Sequence, residues 1–231
     1  MSQPLPSIPK IEVTHVTSKD DFLAIVGVEE QAFTSSATMA LIFPPSSASS
    51  EHSQGLTLKV QNHQVAWSTD PTTRYLKASL PDGTIVGFAK WNFFLENVSE
   101  PQHPWQMELP PNANKEFCEY FFGSLDKARN EAMRGKRHFL MALLAVLPEY
   151  QRMGIGGKLL EWGLQEADRE GVECWIDSSP FGLGLYKKSG WKEVGYLDVD
   201  LGRWGGEEGK VRRTVNMVRQ PHGKGNSRLG S

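Results

Sequence analysis

The feature that most constrains this chain is a glycine cluster placed between an apolar run and a helical pattern. Residues 138–147 predict a buried strand, which Pro148 ends. Gly154, Gly156 and Gly157 follow, and the apolar residues after them recur at helical spacing. Glycines at a helix start leave backbone N–H groups uncovered at the positive end of the helix dipole. The sequence therefore predicts a binding site for phosphate groups.

Counting positions excludes two familiar phosphate-binding motifs. The dinucleotide-binding fingerprint requires a third glycine three residues after Gly156, where this chain has Leu159. The Walker A loop requires a glycine five residues before Gly157, and that residue is Arg152. What remains is a Gln-x-x-Gly-x-Gly loop that begins at Gln151 and contains a basic residue.

This loop, with Val-Leu-Pro just before it, resembles motif A of the GCN5-related N-acetyltransferase (GNAT) family. The resemblance implies that the loop binds the pyrophosphate of acetyl-coenzyme A (acetyl-CoA). It assigns the backbone amides of residues 152–157 to the pyrophosphate, and Lys158 to the adenosine phosphate. The implied cofactor-binding residues of the loop are Gln151, Arg152, Met153, Gly154, Ile155, Gly156, Gly157 and Lys158. A glycine-rich turn without a ligand is the alternative interpretation.

The resemblance extends to the strand before the loop and to a tyrosine after it. In the GNAT family this strand diverges from its neighbour and pairs with pantetheine; its residues here are Leu144, Ala145 and Val146. The sequence YKKSGW, which begins at Tyr186, is similar to the family's Tyr-x-x-x-Gly-Phe motif. This implies that Tyr186 is the acid that protonates the departing thiolate, with a tyrosine packed on the sheet as the alternative. The family often has a cofactor-binding Asn where this chain has Ser179, which can keep only one hydrogen bond.

The sequence identifies neither the general base nor the acceptor. Glu96, His138, Glu149 and Asp177 all lie near predicted strand ends, but none is assigned as the base. For any one of them, an ordinary solvated or capping role is the stronger interpretation. An aromatic pocket for a small apolar amine is expected from Phe43, Trp67, Trp91, Phe93, Phe94 and Trp105, with core packing as the alternative for each.

The order of predicted elements indicates a mixed α/β fold. A strand and a helix are predicted over residues 11–33, a hairpin over 73–95 with its turn at Pro-Asp-Gly, and a long helix from residue 117. A strand, the glycine loop and a helix follow, and then a strand, a short helix and two closing strands. One strand-helix-strand crossover is parallel and right-handed. The order is similar to the GNAT fold, which implies a mostly antiparallel central sheet flanked by helices.

A single domain is predicted over residues 11–219, with two small domains as the less favoured alternative. Residues 1–10 are predicted to be flexible and residues 220–231 disordered. Loop insertions are predicted near residues 34–54, which are Ser-rich around an apolar anchor, and near residues 97–114, which carry four prolines.

Composition narrows the classes of partner. The chain has 27 acidic and 25 basic side chains, so no nucleic-acid partner is expected. No apolar run approaches the roughly 20 residues that cross a bilayer, and no signal peptide is visible, so a cytoplasmic protein without a membrane partner is expected. Cys118 and Cys174 are predicted to be reduced core residues, and no metal site is expected. A monomer or a homodimer is expected.

Together these features predict an acetyl-CoA-dependent N-acetyltransferase that acts on a small amine by direct transfer. No cysteine or serine lies in a nucleophile motif, which agrees with direct attack. Two alternatives remain open at this stage. One is a protein or peptide N-acetyltransferase, and the other is a non-catalytic acyl-CoA-binding sensor.

Overall fold

The computed structural model describes residues 10–44, 49–96, 98–102 and 107–223, and within them seven strands form one sheet. The strands lie in the order β1-β2-β3-β4-β5-β7-β6. Their bounds are Glu12–His15 for β1, Thr73–Ser79 for β2, Ile85–Phe94 for β3, His138–Val146 for β4, Glu173–Ser178 for β5, Lys192–Asp200 for β6 and Val211–Arg219 for β7. Residues 1–9 and 224–231, which belong to the predicted flexible ends, lie outside the described part of the chain.

Helices flank this sheet, and one of them connects its only parallel pair of strands in the described residues. The bounds are Asp21–Phe33 for α1, Ala37–Ile42 for α2, Ser49–Thr69 for α3, Lys115–Met133 for α4, Ile155–Glu170 for α5 and Leu183–Lys188 for α6. β4 pairs with β5 in parallel through α5, and the other pairings are antiparallel. The predicted mixed α/β class, mostly antiparallel sheet and β2–β3 hairpin are confirmed.

The two faces of the sheet carry different helices, as two neighbouring residues of β3 show. Lys90 pairs with Tyr75 of β2, and the Tyr75 ring contacts Phe22 of α1 and His63 of α3. Trp91 points to the opposite face, as successive strand residues do, and its indole lies against α5. One face is therefore covered by α1 and α3, and the other by α5.

The predicted loop over residues 34–54 is wrong in the described part of that region. Ala37–Ile42 forms α2, and the Ser36 hydroxyl caps it by accepting a hydrogen bond from the Met39 N–H at 3.3 Å. The expected apolar anchor is present, because Leu41 and Ile42 are buried in a cluster with residues of α4. Ser49 then begins α3, which the sequence reasoning missed.

The buried face of α3 explains why its pattern is easy to overlook. Leu56, Val60, His63 and Trp67 recur at intervals of three to four residues and are all partly buried. A histidine in the middle of this stripe interrupts the apolar periodicity. The spacing is nevertheless helical, and it is the signal by which this helix could have been found.

β4 separates from β5 after three paired positions. Residues 138–140 of β4 pair with residues 173–175 of β5, and β4 then continues to Val146 with no described partner on that side. β5 pairs instead with β7. A register shift at Lys90 and Trp91 leaves Ala142 outside the β3–β4 pairing and marks a bulge in β4. The far half of β4 thus presents backbone hydrogen-bonding groups to the space beside it.

Trp91 and Gly163 make the closest contact between the sheet and α5. The Trp91 side chain is fully buried, and a Cβ atom on Gly163 would lie 2.2 Å from its ring. A glycine inside a helix normally costs about 0.5–1 kcal/mol relative to alanine. At this position the missing side chain lets α5 approach the sheet and bury the indole.

Gly163→Ala is expected to destabilise the fold although alanine is the better helix former. The added methyl group displaces a buried indole, and overpacking of this kind costs about 1–3 kcal/mol. Gly123→Ala is the matched control, because Gly123 lies inside α4 and a Cβ there meets nothing within 4 Å. That variant is expected to be more stable than the wild type by up to about 1 kcal/mol. Urea unfolding measures both, and stabilisation by both substitutions would contradict the contact.

Candidate active site

A cavity of about 1110 Å³ lies beside the free half of β4. Residues of β4, β5, α6 and the glycine loop line one part of it, and residues of α1, α2, α3 and α4 line another. Small-molecule sites usually occupy about 300–1,000 Å³, so the space is large for a single compact ligand. The separation of β4 from β5 opens this cavity within the sheet.

The glycine loop contributes uncovered backbone N–H groups to this cavity. Within the described residues, none of the N–H groups of residues 152–157 donates to a backbone or side-chain acceptor. Arg152 has a positive φ of 61° and Gly154 has one of 83°. A left-handed conformation costs a non-glycine residue about 1–2 kcal/mol, so the loop stores strain at Arg152. Left-handed residues in such loops turn successive N–H groups toward one side, an arrangement that binds anions.

Gln151 and Ile155 fix the loop to the rest of the fold. The Gln151 side-chain amide donates to the backbone oxygen of Val146 at 3.0 Å, and Ile155 is buried at the start of α5. Three of the implied cofactor-binding residues do not line the cavity. Ile155 and Met153 pack against the core, and Lys158 is exposed elsewhere. The other implied cofactor-binding residues do line it: Leu144, Ala145, Val146, Gln151, Arg152, Gly154, Gly156, Gly157 and Ser179.

Tyr186 lines the same cavity from α6, and its ring is held on two sides. A Cβ atom on Gly182 would lie 2.6 Å from the ring, and the Trp191 ring meets it edge-on at 5.8 Å between centroids. Burial raises the pKa of the phenol well above its ordinary value, so the hydroxyl stays protonated at neutral pH. No hydrogen bond joins this hydroxyl to another described residue. Tyr186 therefore presents a proton that it can donate to a ligand.

A buried polar cluster lines the cavity on the α1 side of the sheet, and the sequence reasoning missed it. His63 Nε2 lies 2.9 Å from Glu29 Oε2, and His63 Nδ1 lies 2.6 Å from the Tyr75 hydroxyl. The Lys90 ammonium lies 5.9 Å from the centre of the Tyr75 ring. All four side chains line the cavity. They come from α1, α3, β2 and β3, so only the fold brings them together.

Burial and mutual charge shift the pKa values of this cluster. Burial raises the pKa of Glu29, but the hydrogen bond from His63 and the charges of His63, Lys59 and Lys90 outweigh it, so the pKa lies below its ordinary value. Burial raises the pKa of Tyr75 well above its ordinary value. Burial also lowers the pKa of Lys90, against the attraction of nearby carboxylates. Glu29 is therefore ionised at neutral pH while Tyr75 keeps its proton.

A family model matches the part of the chain that carries the glycine loop and Tyr186. Residues 121–193 match the family model described as Acetyltransferase (GNAT) domain. Over these residues the chain is similar to a GNAT acetyltransferase domain. No curated protein matches the chain.

Solved structures extend the GNAT likeness to most of the chain. The histone acetyltransferase HPA2 and related acetyltransferase from Corynebacterium glutamicum is 20% identical, with a TM-score of 0.60 over 92% of this chain and 97% of its own. The ribosomal-protein-S18-alanine N-acetyltransferase from Escherichia coli is 15% identical, with a TM-score of 0.53 over 94% and 98%. The paia N-acetyltransferase from Thermoplasma acidophilum, solved in complex with coenzyme A, is 16% identical, with a TM-score of 0.51 over 91% and 99%. At these identities the likeness establishes the fold, and the GNAT-like fold is confirmed.

Three of the four residues considered as a base lie outside the cavity of the GNAT fold. Glu96 and Glu149 are exposed. His138 is buried, its Nδ1 lies 2.9 Å from the Lys136 backbone oxygen, and burial lowers its pKa to about 4. It is therefore neutral at physiological pH and belongs to the core. Only Asp177 lines the cavity.

Most of the aromatic residues expected to form the acceptor pocket do not line the cavity. Of the aromatic residues considered, Phe43 lines the cavity, while four others pack elsewhere and Trp105 lies outside the described residues. Trp91 packs on α5, and Phe93 stacks on Phe139 of β4. Trp67 packs against Phe22 of α1, and Phe94 lies in a separate core cluster. The aromatic residues that line the cavity are Phe33, Phe43, Tyr75, Phe121, Phe122, Tyr150, Phe181 and Tyr186.

Both cysteines lie in the core of the fold. Cys118 and Cys174 are both free and buried, and burial raises the pKa of each thiol, to about 12 for Cys174. Among the described residues, no group of three or more His, Cys, Asp and Glu side chains could hold a metal ion. None of the described helices has the length and apolar character needed to cross a bilayer.

Asp177 lies on β5 where β4 and β5 separate. Its Oδ1 accepts hydrogen bonds from Trp175 Nε1 at 2.9 Å and from Asn216 Nδ2 at 2.7 Å. Its Oδ2 is sealed from solvent and has no partner in the described part of the chain. Burial raises the pKa of Asp177 to about 6, although both hydrogen bonds and the charge of Arg129 lower it. The carboxyl group thus resists ionisation, and its unpartnered oxygen is closed off from solvent.

Relative to the wild type, the Asp177→Asn variant is expected to gain stability as the pH rises from acid to neutral. The wild-type folded state holds this proton up to about pH 6, whereas the unfolded chain releases it near the ordinary value of 3.8. The wild type therefore loses up to about 3 kcal/mol as the pH rises through this window, and the amide does not. Urea unfolding of both proteins at about pH 4 and pH 7 measures the difference. A stability difference that does not change with pH would contradict the raised pKa.

Proposed function

We propose that this protein is an acetyl-CoA-dependent N-acetyltransferase that transfers the acetyl group directly to the amine of a small molecule. One observation carries the proposal. The free edge of β4, the uncovered N–H groups of the glycine loop and the unpartnered Tyr186 hydroxyl all meet in a single cavity. Donor binding and acid catalysis therefore have their groups in the same space.

The residues of this cavity fit coenzyme A. The N–H groups of residues 152–157 and the Arg152 guanidinium would hold the pyrophosphate. The free backbone groups of β4 at 144–146 would pair with pantetheine as an added strand does, and Ser179 would contact the cofactor with its hydroxyl. Acetyl-CoA supplies the reactive acyl group as a thioester. The structural neighbour from Thermoplasma acidophilum, an N-acetyltransferase solved with coenzyme A, supports this choice of donor.

Tyr186 is proposed as the acid that protonates the thiolate leaving group. The phenol is neutral at physiological pH, and its ring is fixed by Gly182 and Trp191. A positioned donor of this kind stabilises a leaving group as charge develops on it. Direct transfer is favoured because neither cysteine lines the cavity and burial raises the pKa of both thiols.

A small acceptor is favoured by the walls of the α1 side of the cavity. Phe33, Phe43, Phe121, Phe122 and Met39 supply apolar surface there, contributed by α1, α2, α4 and the residues that border them. Apolar walls with a few polar groups are typical of small-molecule sites. The Corynebacterium glutamicum and Escherichia coli neighbours are named for histone and ribosomal-protein substrates, so the acceptor class rests on this pocket and not on those names.

Arg152→Gly is expected to stabilise the fold and to weaken acetyl-CoA binding. Glycine adopts a positive φ without strain, so the free energy of unfolding should rise by about 0.5–1 kcal/mol. Loss of a charge-assisted contact with a phosphate should weaken the Kd by roughly 10-fold. Isothermal titration with acetyl-CoA measures the Kd, and urea unfolding measures the stability. Lys127→Ala is the control, because it removes one positive charge from the exposed surface of α4. Absence of acetyl-CoA binding by the wild type would refute the proposed function.

Tyr186→Phe is expected to lower kcat by about 10²-fold while leaving the Kd for acetyl-CoA unchanged. The substitution removes only the hydroxyl, so the ring keeps its contacts with Gly182 and Trp191. Coenzyme A release across a panel of alkyl amines, aryl amines, amino acids and peptides measures activity and identifies the acceptor class. Turnover with peptides alone would favour a protein acetyltransferase, and tight binding without any turnover would favour a sensor. A wild-type kcat in Tyr186→Phe at all pH values would exclude the acid role.

A further inference from the structure

The cluster of Glu29, His63 and Tyr75 fixes the positions of its own protons. A carboxylate only accepts hydrogen bonds, so the His63 Nε2 that lies 2.9 Å from Glu29 Oε2 must carry a hydrogen. Tyr75 keeps its proton at neutral pH, because burial raises its pKa. Its hydroxyl therefore donates to His63 Nδ1 at 2.6 Å, and in the neutral imidazole that nitrogen is an acceptor. The three groups form a directed chain from hydroxyl to imidazole to carboxylate.

We infer that this chain, the Tyr75–His63–Glu29 relay, removes the proton of the acceptor ammonium, an inference that rests on the N-acetyltransferase function proposed above. The acceptor N–H bond breaks as its proton passes to the Tyr75 oxygen, and the electron pair stays on nitrogen. The original Tyr75 hydroxyl proton moves to His63 Nδ1. The imidazolium that forms keeps its Nε2 hydrogen bond to Glu29. The proton leaves to solvent after transfer, so no other reactant is needed.

The position of the relay suits this task better than that of Asp177. All three relay residues line the cavity beside the apolar walls proposed for the acceptor. The side chains of His63 and Glu29 are only 11% and 9% exposed, which strengthens their interaction by excluding water. Asp177 also lines the cavity, but its free oxygen is sealed and its other oxygen already accepts two hydrogen bonds.

Charged groups face His63 from each element packed around it. The Glu29 carboxylate of α1 lies against His63 Nε2, and Lys59 of α3 and Lys90 of β3 act on that carboxylate by their charge. Asp70, after α3, attracts Lys90 and adds negative charge on this side. The relay accepts a proton only while the imidazole is neutral.

Two isomeric amines separate proton removal from packing. Phenethylamine is an alkyl amine that is protonated at pH 7, as a lysine side chain is, whereas para-ethylaniline is neutral there. His63→Gln and Tyr75→Phe are each expected to lower kcat/KM for phenethylamine by about 10²-fold at pH 7. The loss for para-ethylaniline should be smaller by roughly 10-fold, because that amine carries no ammonium proton. Raising the pH should restore phenethylamine turnover as free amine becomes available from solution.

Two further variants test whether the residues act in series. The Tyr75→Phe/His63→Gln double variant is expected to lose no more activity than either single variant, since each already breaks the same chain. Glu29→Gln should lower kcat for phenethylamine, because the imidazolium loses its carboxylate partner. His15→Gln is the control, since His15 is exposed on β1 and lies outside the cavity. Acetyl-CoA affinity should be unchanged in every variant.

Each outcome of these measurements decides the inference. Wild-type kcat/KM in His63→Gln and Tyr75→Phe would overturn it, as would losses that are equal for both amines and at every pH. If Tyr75→Phe does not fold, the amine comparison and pH profile of His63→Gln decide alone. If the wild type binds acetyl-CoA and acetylates amines, and the relay variants acetylate the same amines equally well, only the relay fails. If it acetylates no amine, the proposed function fails and the relay with it.

Discussion

The separation of β4 from β5 is the constraint on which the rest of the structure depends. A sheet normally satisfies the backbone groups of each inner strand on both sides. Here β4 keeps β3 as a partner along its length but loses β5 after residue 140. The bulge at Ala142 accompanies this change of direction. The unpaired edge and the cavity beside it are two consequences of one departure from regular pairing, and the glycine loop, α6 and Tyr186 are arranged around them.

The strain at Arg152, just before α5, and the close approach at Gly163 inside it illustrate two different uses of local conformation. In the loop before α5, the non-glycine residue Arg152 holds a positive φ beside uncovered N–H groups. About two turns into the helix, the absence of a side chain at Gly163 lets Trp91 fill the interface. The first feature costs stability at a proposed binding site, and the second recovers packing that holds α5 in place.

The sequence was most informative where structure is determined by neighbouring residues. The strand, Pro148, the three glycines and the α5 pattern lie within about thirty residues, and local turn and helix rules were enough to place them. The hairpin at Gly83 was predicted for the same reason. The separation of β4 was implied only by family resemblance, since hydrogen-bond partners of a strand are set by distant segments.

The acceptor side was harder to predict because its residues are far apart in the chain. Glu29, His63, Tyr75 and Lys90 meet only when α1 and α3 lie across the hairpin. α3 was missed because a buried histidine interrupts its apolar stripe, and that histidine is the centre of the polar cluster. Trp91 and Phe94 were misplaced because aromatic residues in a strand look alike in sequence whether they face a pocket or a helix.

The distribution of the cavity walls along the chain has an evolutionary consequence. The groups proposed for the donor lie between β4 and α6, whereas much of the proposed acceptor wall comes from α1 to β3, earlier in the chain. Mutations in the earlier segment can therefore remodel one substrate site while the other is left intact. A chain built in this way can diversify its acceptors at a constant donor, and exchange of the segment between related enzymes would carry much of the acceptor wall with it.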